Sequence, residues 1–236
     1  MATPNTPSHA TLPPRRVRID FGKEVVVLVG GSEKRFVCHA NLLTAQSPFF
    51  EAALSGRWLE SEEKLVRLPE QAPTAFSIYL NWRYTGAVDL WDGEDNAGTY
   101  TIPEGAIKEN QGPRFSRLVR CSVLADMLQD HAFSNALIDS YFDLVEITYQ
   151  FPSSTAVNLA FQLLAEGSWV RRLFIRQLAF DANAYELSQR INEHDFQVVS
   201  AIAVLSIMER GVPMKDKRIR AKRQSMYHNP AEGKKK

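Results

Sequence analysis

Three side chains in this sequence could take part in catalysis or metal binding: Cys38, His39 and Cys121. A thiolate can act as a nucleophile, and an imidazole can transfer protons or bind a metal near neutral pH. Cys38 and His39 are neighbours, but no further His or Cys lies at the spacing of a metal site. Cys121 falls in an apolar helical pattern. We therefore interpret both thiols as buried and inert, and His39 as a hydrogen-bonding residue at a strand-to-helix junction.

Two pairs of neighbours, Asp130 beside His131 and His194 beside Asp195, resemble acid–base pairs. Adjacent residues on a helix point in different directions, so we interpret both pairs as solvated residues of a first helical turn. The sequence contains no phosphate-binding loop, dinucleotide glycine fingerprint, His-Glu-x-x-His motif or Gly-x-Ser-x-Gly motif. It therefore predicts no catalytic, cofactor-binding or metal-binding residues and a protein that is not an enzyme.

Charge is distributed unevenly along the 236 residues. The net charge of the chain is +1, but residues 214–236 carry nine basic and two acidic residues, which leaves −6 for residues 1–213. The low overall charge excludes a uniformly basic nucleic-acid-binding protein. The basic cluster indicates a nuclear-import signal, an arm that binds phosphate groups, or a solvated tail. Its members are Lys215, Lys217, Arg218, Arg220, Lys222 and Arg223.

The elements that must position these residues begin after a proline-rich segment. Residues 1–16 contain four prolines and few large apolar side chains, which predicts a disordered leader. Residues 24–29 form a β-branched run, and residues 34–37 a second short apolar segment. Gly30 and Gly31 between them predict a β-hairpin, because glycine supplies the positive φ that tight turns need.

Short helices and one further strand follow the hairpin. Ser47 before Pro48 predicts a helix start, since Ser caps free N–H groups and Pro suits the first helical position. Residues 64–68 alternate in hydrophobicity and predict a strand. A helix is predicted from Pro73, and Gly86 is placed to end it. Its predicted buried face comprises Phe76, Leu80 and Tyr84.

The remainder of the chain is predicted to be an acidic loop over 87–116 and then helices from Arg117 onward. Asp130 is predicted to cap the second of these helices. Five apolar stripes repeat at helical spacing. They are Leu118, Cys121, Leu124 or Ala125, and Leu128; Phe133, Leu137, Tyr141 and Leu144; Ala156, Ala160, Leu163 and Leu164; Val170, Leu173, Phe174 and Leu178; and Val198, Ile202 and Leu205.

Several short motifs occur in an order that resembles the BTB/POZ domain family. They are Glu24 to Gly31, Arg35 to Ala40, Leu42-Leu43, Ser47-Pro48-Phe49-Phe50, Leu68-Pro69 and Tyr84-Thr85-Gly86. The resemblance covers residues 17–149, and the chain is most similar to the fungal type, in which one domain precedes a short helical extension. It implies an α+β fold with a small sheet and a helical cluster. The extension is expected at 150–213 and a disordered basic tail at 214–236.

The resemblance also implies a non-enzymatic protein–protein interaction module that binds other proteins or a second copy of itself. Family members that recruit a cullin ubiquitin-ligase scaffold carry Glu in the helix before the Tyr-Thr-Gly motif. The matching position here is Asn81, a departure from that pattern. An adaptor for a cullin-based ubiquitin ligase therefore stays open as a second version of the interaction hypothesis. Dimeric animal members exchange an ordered N-terminal segment, and the proline-rich leader is a poor candidate for that exchange.

Four residues are predicted to contact protein partners: Phe49, Trp58, Tyr79 and Asn81. Phe49 and Trp58 flank the capped helix, where an exposed aromatic residue could anchor an interface. Two cysteines, no signal-peptide pattern and no long apolar run predict an intracellular protein without membrane contact, in the nucleus or the cytoplasm. The alternative function is a nuclear regulator whose basic tail contacts nucleic acid.

Overall fold

The computed structural model describes residues 19–55, 64–90, 112–148, 151–180 and 195–208. These residues form three strands and eight helices, which confirms the predicted α+β class. In chain order the elements are β1 Glu24–Val29, β2 Lys34–His39, α1 Ala40–Thr44, α2 Pro48–Ala53, β3 Leu65–Leu68, α3 Pro73–Thr85, α4 Gly112–Leu128, α5 His131–Thr148, α6 Ser154–Leu163, α7 Trp169–Phe180 and α8 Phe196–Met208.

The sheet has the strand order β2-β1-β3, with β1 in the centre. The predicted hairpin is confirmed, because β1 and β2 pair antiparallel around Gly30, whose φ is +77°. A Cβ at Gly30 would lie 3.1 Å from the ring of Pro73, so glycine also permits the close approach of α3. The third strand pairs parallel to β1, with Val26 opposite Leu65.

The inner face of the sheet packs against the helices and is strictly apolar at its centre. The alternation of a strand sends Val25, Val27 and Val29 to this face, and each is at most 1% exposed. Val66 and Leu68 of β3 join them. The apolar area removed from water on this face fixes the strand register, because a slip of one residue would expose all of these side chains.

Ser47 joins two helices at a buried position. Its Oγ accepts a hydrogen bond from the backbone N–H of Phe50 at 3.3 Å, which confirms the predicted cap of α2. The same Oγ donates to the carbonyl oxygen of Leu128 at 2.8 Å, near the end of α4. The side chain is 0% exposed, so both bonds form away from water.

The prediction for α3 was right in its ends and wrong in its buried face. The helix ends at Gly86, whose φ is +80° and whose N–H donates to the carbonyl oxygen of Trp82 at 2.7 Å. Tyr84, predicted to be buried, is 42% exposed, and Leu80 is half-buried. The buried residues are Ala75, Phe76, Ile78, Tyr79 and Trp82. The helix is apolar on most sides, so the packing of α4 against it decides which side is buried.

The helix α4 begins at Gly112, so the predicted loop of 87–116 extends too far. The predicted loop included Pro113. Proline is favoured in the first turn of a helix, so its presence did not argue against a helix start here. Residues 91–111 of that loop lie outside the described part of the chain. The predicted stripe of α4 is confirmed, and all four of its residues are buried. They are Leu118, Cys121, Leu124 and Leu128.

Helix α5 lies within residues 17–149, the range predicted for the domain, and helices α6 to α8 lie within 150–213, the range predicted for the extension. Asp130 caps α5, as predicted, by accepting a hydrogen bond from the N–H of Phe133 at 3.0 Å. The stripes of α5 and α7 are confirmed as buried. In α6, the prediction that Leu163 belongs to the buried stripe is wrong, because Leu163 is 47% exposed. Leu164 is buried. In α8, Val198 and Ile202 are buried and Leu205 is half-buried.

Among the described residues, no helix is both long enough and apolar enough to cross a membrane. The predicted leader, residues 1–16, and the predicted basic tail, residues 214–236, lie outside the described residues.

Candidate functional site

Three aromatic rings meet at the surface where β1, β2 and α3 come together. The ring of His39 lies edge-on to Phe21 at a centroid distance of 5.1 Å and to Tyr84 at 5.9 Å. Phe21 is 75% exposed and Tyr84 42% exposed. We call Phe21, His39 and Tyr84 the aromatic corner. Aromatic residues are enriched at the cores of protein interfaces, and tyrosine is among the residues that most often contribute strongly to binding.

Backbone and side-chain hydrogen bonds position the aromatic corner. His39 Nδ1 and the Tyr84 hydroxyl lie 2.7 Å apart, and the N–H of His39 donates to the same hydroxyl oxygen at 3.4 Å. The N–H of Ala40 donates to the carbonyl oxygen of Lys23 at 2.8 Å, which holds the chain after Phe21 against the start of α1. The interpretation of His39 as a hydrogen-bonding anchor is confirmed. Partial burial raises the pKa of Tyr84 above its ordinary value.

The outer face of the sheet adjoins the aromatic corner through His39. It consists of the residues that alternate with the buried ones on the three strands, and it remains partly open to water. We call it the open sheet face. Its residues are Glu24, Val26 and Leu28 of β1, Arg35, Val37 and His39 of β2, and Leu65 and Arg67 of β3. Val37 is 46% exposed and lies beside the half-buried Val26, which pairs on its other side with Leu65.

The predicted partner-binding residues fall in different environments. Phe49 is half-buried and contacts Phe50 edge-on at 5.3 Å. Asn81 is exposed on α3, and its Nδ2 donates to the carbonyl oxygen of Ala87 at 3.3 Å. Trp58 lies outside the described residues. The six residues of the basic cluster also lie outside them: Lys215, Lys217, Arg218, Arg220, Lys222 and Arg223.

The prediction that Tyr79 contacts partners is wrong. The residue is 0% exposed and therefore offers a partner no surface. Its hydroxyl donates to Asp130 Oδ2 at 3.1 Å. Asp130 is 1% exposed, so the expectation of a solvated residue is also wrong, while His131 beside it is exposed. Burial raises the pKa of the Asp130 carboxyl, and burial is also the largest cause of the raised pKa of Tyr79. The pair joins α3 to the start of α5 inside the core.

Both cysteines are buried, as the sequence analysis expected. Cys38 is 1% exposed and Cys121 0% exposed. Burial raises the pKa of each thiol to about 12, so neither forms a thiolate near neutral pH. Among the residues that the structure describes, no group of three or more His, Cys, Asp or Glu side chains could hold a metal ion.

Two residues of this surface, Val37 and Phe21, were not predicted from the sequence. The alternation of residues 34–39 places Val37 on the face opposite Cys38, so a strand pattern with one buried face already indicated its exposure. Phe21 precedes the first strand, and nothing in the sequence distinguishes it from an aromatic residue of the core. The contact with His39 depends on how the chain before β1 folds back onto the β2–α1 junction.

Comparison with known proteins identifies one domain family that part of this chain resembles. The family model for the BTB/POZ domain matches residues 22–100. Human Kelch-like protein 30 is 35% identical over 78 residues, which are 33% of this chain and 13% of that protein. Kelch repeat and BTB domain-containing protein 8 of Xenopus tropicalis is 35% identical over 95 residues, 39% of this chain and 16% of that protein.

A longer alignment extends into the helical extension. Human Kelch repeat and BTB domain-containing protein 12 is 24% identical over 187 residues, which are 79% of this chain and 27% of that protein. The matched regions thus span between about an eighth and about a quarter of these relatives. The motif order, the three-stranded sheet with its helical cluster and the family match together place a BTB/POZ domain in this chain over residues 22–100, the range that the family model matches.

Proposed function

We propose that this chain is a non-enzymatic adaptor that holds other proteins at the exposed surface of its BTB/POZ domain. The observation that carries the proposal is the aromatic corner, where Phe21 and Tyr84 remain exposed while both contact His39. Ordering these rings before a partner arrives lowers the entropy lost on binding. Truncation of such an anchor usually costs more affinity than truncation of its neighbours.

The buried titratable groups support a binding function. The thiols of Cys38 and Cys121 are protonated near neutral pH, and Asp130 is occupied by Tyr79 and the helix cap. Each of these groups lies inside the core, away from the surface. The accessible side chains of the aromatic corner are therefore better suited to contact another polypeptide than to activate a small substrate.

The helical extension supports the interaction domain in this proposal. We place the domain at residues 17–149 and the extension at 150–213. Phe174 of α7 lies 5.9 Å from Phe115 of α4 and 6.0 Å from Tyr141 of α5, measured between ring centroids. Because these rings are buried together, the extension adds to the stability of the domain that carries the aromatic corner.

The proposal is tested by quantitative affinity purification of the full chain. Phe21→Ala should reduce recovery of specific partners by about tenfold, the scale of a central aromatic anchor. Phe196→Ala is the matched control. It is the same substitution at another exposed phenylalanine, which is 84% exposed on α8 and far along the chain from Phe21. Partners that depend equally on both residues, or on neither, would contradict binding at the aromatic corner.

Asn81 bears on whether a cullin scaffold is among the partners of this chain. Asn81 is exposed on α3 but carries a carboxamide where the resemblance led us to expect a carboxylate in cullin-recruiting members. We propose that the wild-type chain does not recruit a cullin. A pull-down with a cullin N-terminal region should be negative for the wild type, and Asn81→Glu tests whether a carboxylate creates binding. Clear binding by the wild type would reject this part of the proposal.

The alternative function is a nuclear regulator that acts through its basic tail. The observation that favours it is the opposite sign of charge in residues 214–236 and in the rest of the chain. Deletion of 214–236 should then lower nuclear accumulation and abolish salt-sensitive binding to nucleic acid. If localisation and binding are unchanged by the deletion, this alternative is rejected and the adaptor proposal is unaffected.

A further inference from the structure

Strand β2 forms one edge of the sheet, because the strand order is β2-β1-β3. A strand at an edge pairs on one side only, so its other backbone N–H and C=O groups point away from the sheet. Such groups can pair with an extended segment of another polypeptide. What binds at this edge depends on which residues present these groups and on the side chains around them.

Hydrogen bonds on the far side of β1 identify the outward-facing residues of β2. The N–H of Val26 donates to the carbonyl oxygen of Lys64 at 2.8 Å, so the backbone of Val26 points toward β3. Val37 lies opposite Val26 in the antiparallel register, and its N–H and C=O therefore point away from β1. Arg35, two residues earlier, has the same orientation. Within the described part of the chain, no hydrogen bond reaches the backbone of either residue from that side.

The aromatic corner closes this edge at one end. The N–H of His39 also points away from β1, but it donates to the Tyr84 hydroxyl at 3.4 Å. The free backbone groups are those of Arg35 and Val37, and these offer an added strand up to four hydrogen bonds. We call residues 35–37 the open edge.

The side chains around the open edge are basic at one end and apolar at the other. The sequence of β2 is Lys-Arg-Phe-Val-Cys-His, which contains two cations and no carboxylate. Lys34 and Arg35 are exposed at the end next to the hairpin turn, and Lys34 Nζ lies 5.5 Å from the centroid of the half-buried Phe36 ring. Val37 is exposed, and the aromatic corner follows it. An added strand therefore meets positive charge at one end and apolar surface at the other.

We propose that the open edge binds an extended segment of a partner protein, which adds to the sheet as a further strand and carries an acidic residue opposite Arg35 and an apolar residue opposite Val37. The inference rests on the proposed function, because it states the chemistry of one partner of the interaction module. Antiparallel pairing is the more stable arrangement, so the segment runs from the aromatic corner toward the hairpin turn. Its core is then apolar-x-apolar-x-acidic, with every second side chain on the open sheet face.

The charges on the neighbouring strands fix the position of the acidic residue. Glu24 is exposed on β1 at the end of the face far from Arg35, so it repels a carboxylate placed at the aromatic corner. Glu33 in the hairpin turn pairs with Arg67 on the other edge strand at 3.9 Å. A segment with a basic residue opposite Arg35 would be repelled by it. The basic residues 214–236 of this chain are therefore a poor match for the open edge.

The test measures the fluorescence anisotropy of labelled peptides titrated with the full chain. The acidic probe contains Leu-Thr-Val-Thr-Glu, and the basic probe has Lys in place of Glu. A third probe is the acidic peptide with an N-methyl group on its central Val. The acidic probe should bind about fivefold more tightly than the basic one, the scale of an exposed charge pair. N-methylation keeps every side chain and removes one N–H, so it should weaken binding about tenfold.

Val37→Pro tests the open edge from the side of the protein. The N–H of Val37 takes no part in the pairing with β1, and proline is tolerated at such positions of edge strands, so the variant should fold. It should bind the acidic probe about tenfold more weakly, because one donor is lost. Val37→Thr is the matched control, since it keeps the N–H and the β-branched shape and should bind nearly as well as the wild type. Circular dichroism tests that both variants retain the fold.

Arg35→Glu provides a test that does not depend on the proline variant. It should reverse the preference, so that the basic probe binds more tightly than the acidic one. Equal binding of the acidic and N-methylated probes would place them away from the open edge and overturn the inference. An unreversed preference in Arg35→Glu would overturn it, and so would a wild type that binds none of the probes, including one whose β2 pairs with a second copy instead. If partners that depend on Phe21 are still recovered in these cases, the proposed function stands.

Discussion

The described parts of the sheet-bearing region, residues 19–90, and of the helical region, residues 112–208, expose apolar side chains in different settings. In the helical region the predicted stripes of α4, α5 and α7 are buried, and Leu163, Phe196 and Val204 are exposed on α6 and α8. In the sheet-bearing region the exposed rings of Phe21 and Tyr84 both contact His39. The difference teaches that exposure alone does not distinguish the two regions, and that the contacts between exposed rings support our proposal that the sheet-bearing region supplies the surface for partners.

The largest effect on stability is expected when a buried aromatic side chain is removed from either region. These substitutions test whether the two regions unfold as one cooperative unit. Phe76 of α3 and Phe174 of α7 are each 0% exposed within aromatic clusters. Phe76→Ala and Phe174→Ala should each lower the free energy of unfolding by about 3–5 kcal/mol, from lost burial and a residual cavity. Chemical denaturation followed by circular dichroism measures both.

Because α3 packs against α4, we expect one transition that shifts in both variants. A Phe174→Ala protein that loses only part of its helical signal, with the sheet-bearing region still folded, would show that the two regions unfold separately.

Thiol labelling gives the next largest effect, because each region contains one buried cysteine. Cys38 lies on the edge strand β2 and Cys121 within α4. Edge strands open more readily than central helices, so Cys38 should be labelled at least about tenfold faster. Cys121→Ala and Cys38→Ala isolate the two rates, measured with a thiol reagent under native conditions. Faster labelling of Cys121 would reverse the comparison.

Thiol labelling measured at increasing pH tests whether either buried cysteine ionises in the folded protein. The ordinary pKa of a cysteine is 9.0, and burial raises that of both thiols to about 12. Between pH 7 and 9 the folded protein should therefore expose no thiolate. Labelling should increase only through molecules that open transiently, and denaturant should abolish the difference between the two variants.

Helix capping gives a smaller effect. Ser47→Ala removes two buried hydrogen bonds, to the N–H of Phe50 and to the carbonyl oxygen of Leu128, and should destabilise the fold by about 1–3 kcal/mol. Ser153→Ala removes only the half-buried cap of α6, the bond from the N–H of Ala156 at 3.2 Å, and should cost about 1 kcal/mol. Equal losses, measured by urea denaturation, would argue that the bond to Leu128 contributes nothing.

The smallest effect is expected at the aromatic corner. Tyr84→Phe removes the contact between the hydroxyl and His39 Nδ1 and retains the ring. Because this site is open to water, the free energy of unfolding should fall by only about 0.5–1 kcal/mol. A loss as large as that of Phe76→Ala would mean that the aromatic corner is part of the core and would weaken its assignment as a binding surface.

Turns and caps were predictable from the sequence because they depend on a few neighbouring atoms. Gly30 and Gly31 were assigned to a turn, Gly86 to the end of a helix, and Ser47 and Asp130 to helix caps. The structure confirms the turn, with positive φ at Gly30, as well as the helix end and both caps. The apolar stripes of α4 and α5 were equally clear, since each has one apolar side and one polar side.

The candidate site was less predictable. Apolar residues occur on most sides of α3, so the sequence could not decide between a stripe through Tyr84 and one through Tyr79 and Trp82. Phe49 and Asn81 remain predicted partner contacts. Phe21 was missed, because its position depends on hydrogen bonds between the segment before β1 and the start of α1.

By itself, the sequence determined the hairpin, the caps, the order of the BTB/POZ motifs and the difference in charge between residues 214–236 and the rest of the chain. Those features follow from local backbone chemistry and composition, which act within a few residues. Only the tertiary structure decided that Tyr79 and Asp130 are buried together and that Phe21, His39 and Tyr84 meet at the surface. Those contacts join residues distant in sequence, and the burial of apolar area by the whole fold selects them.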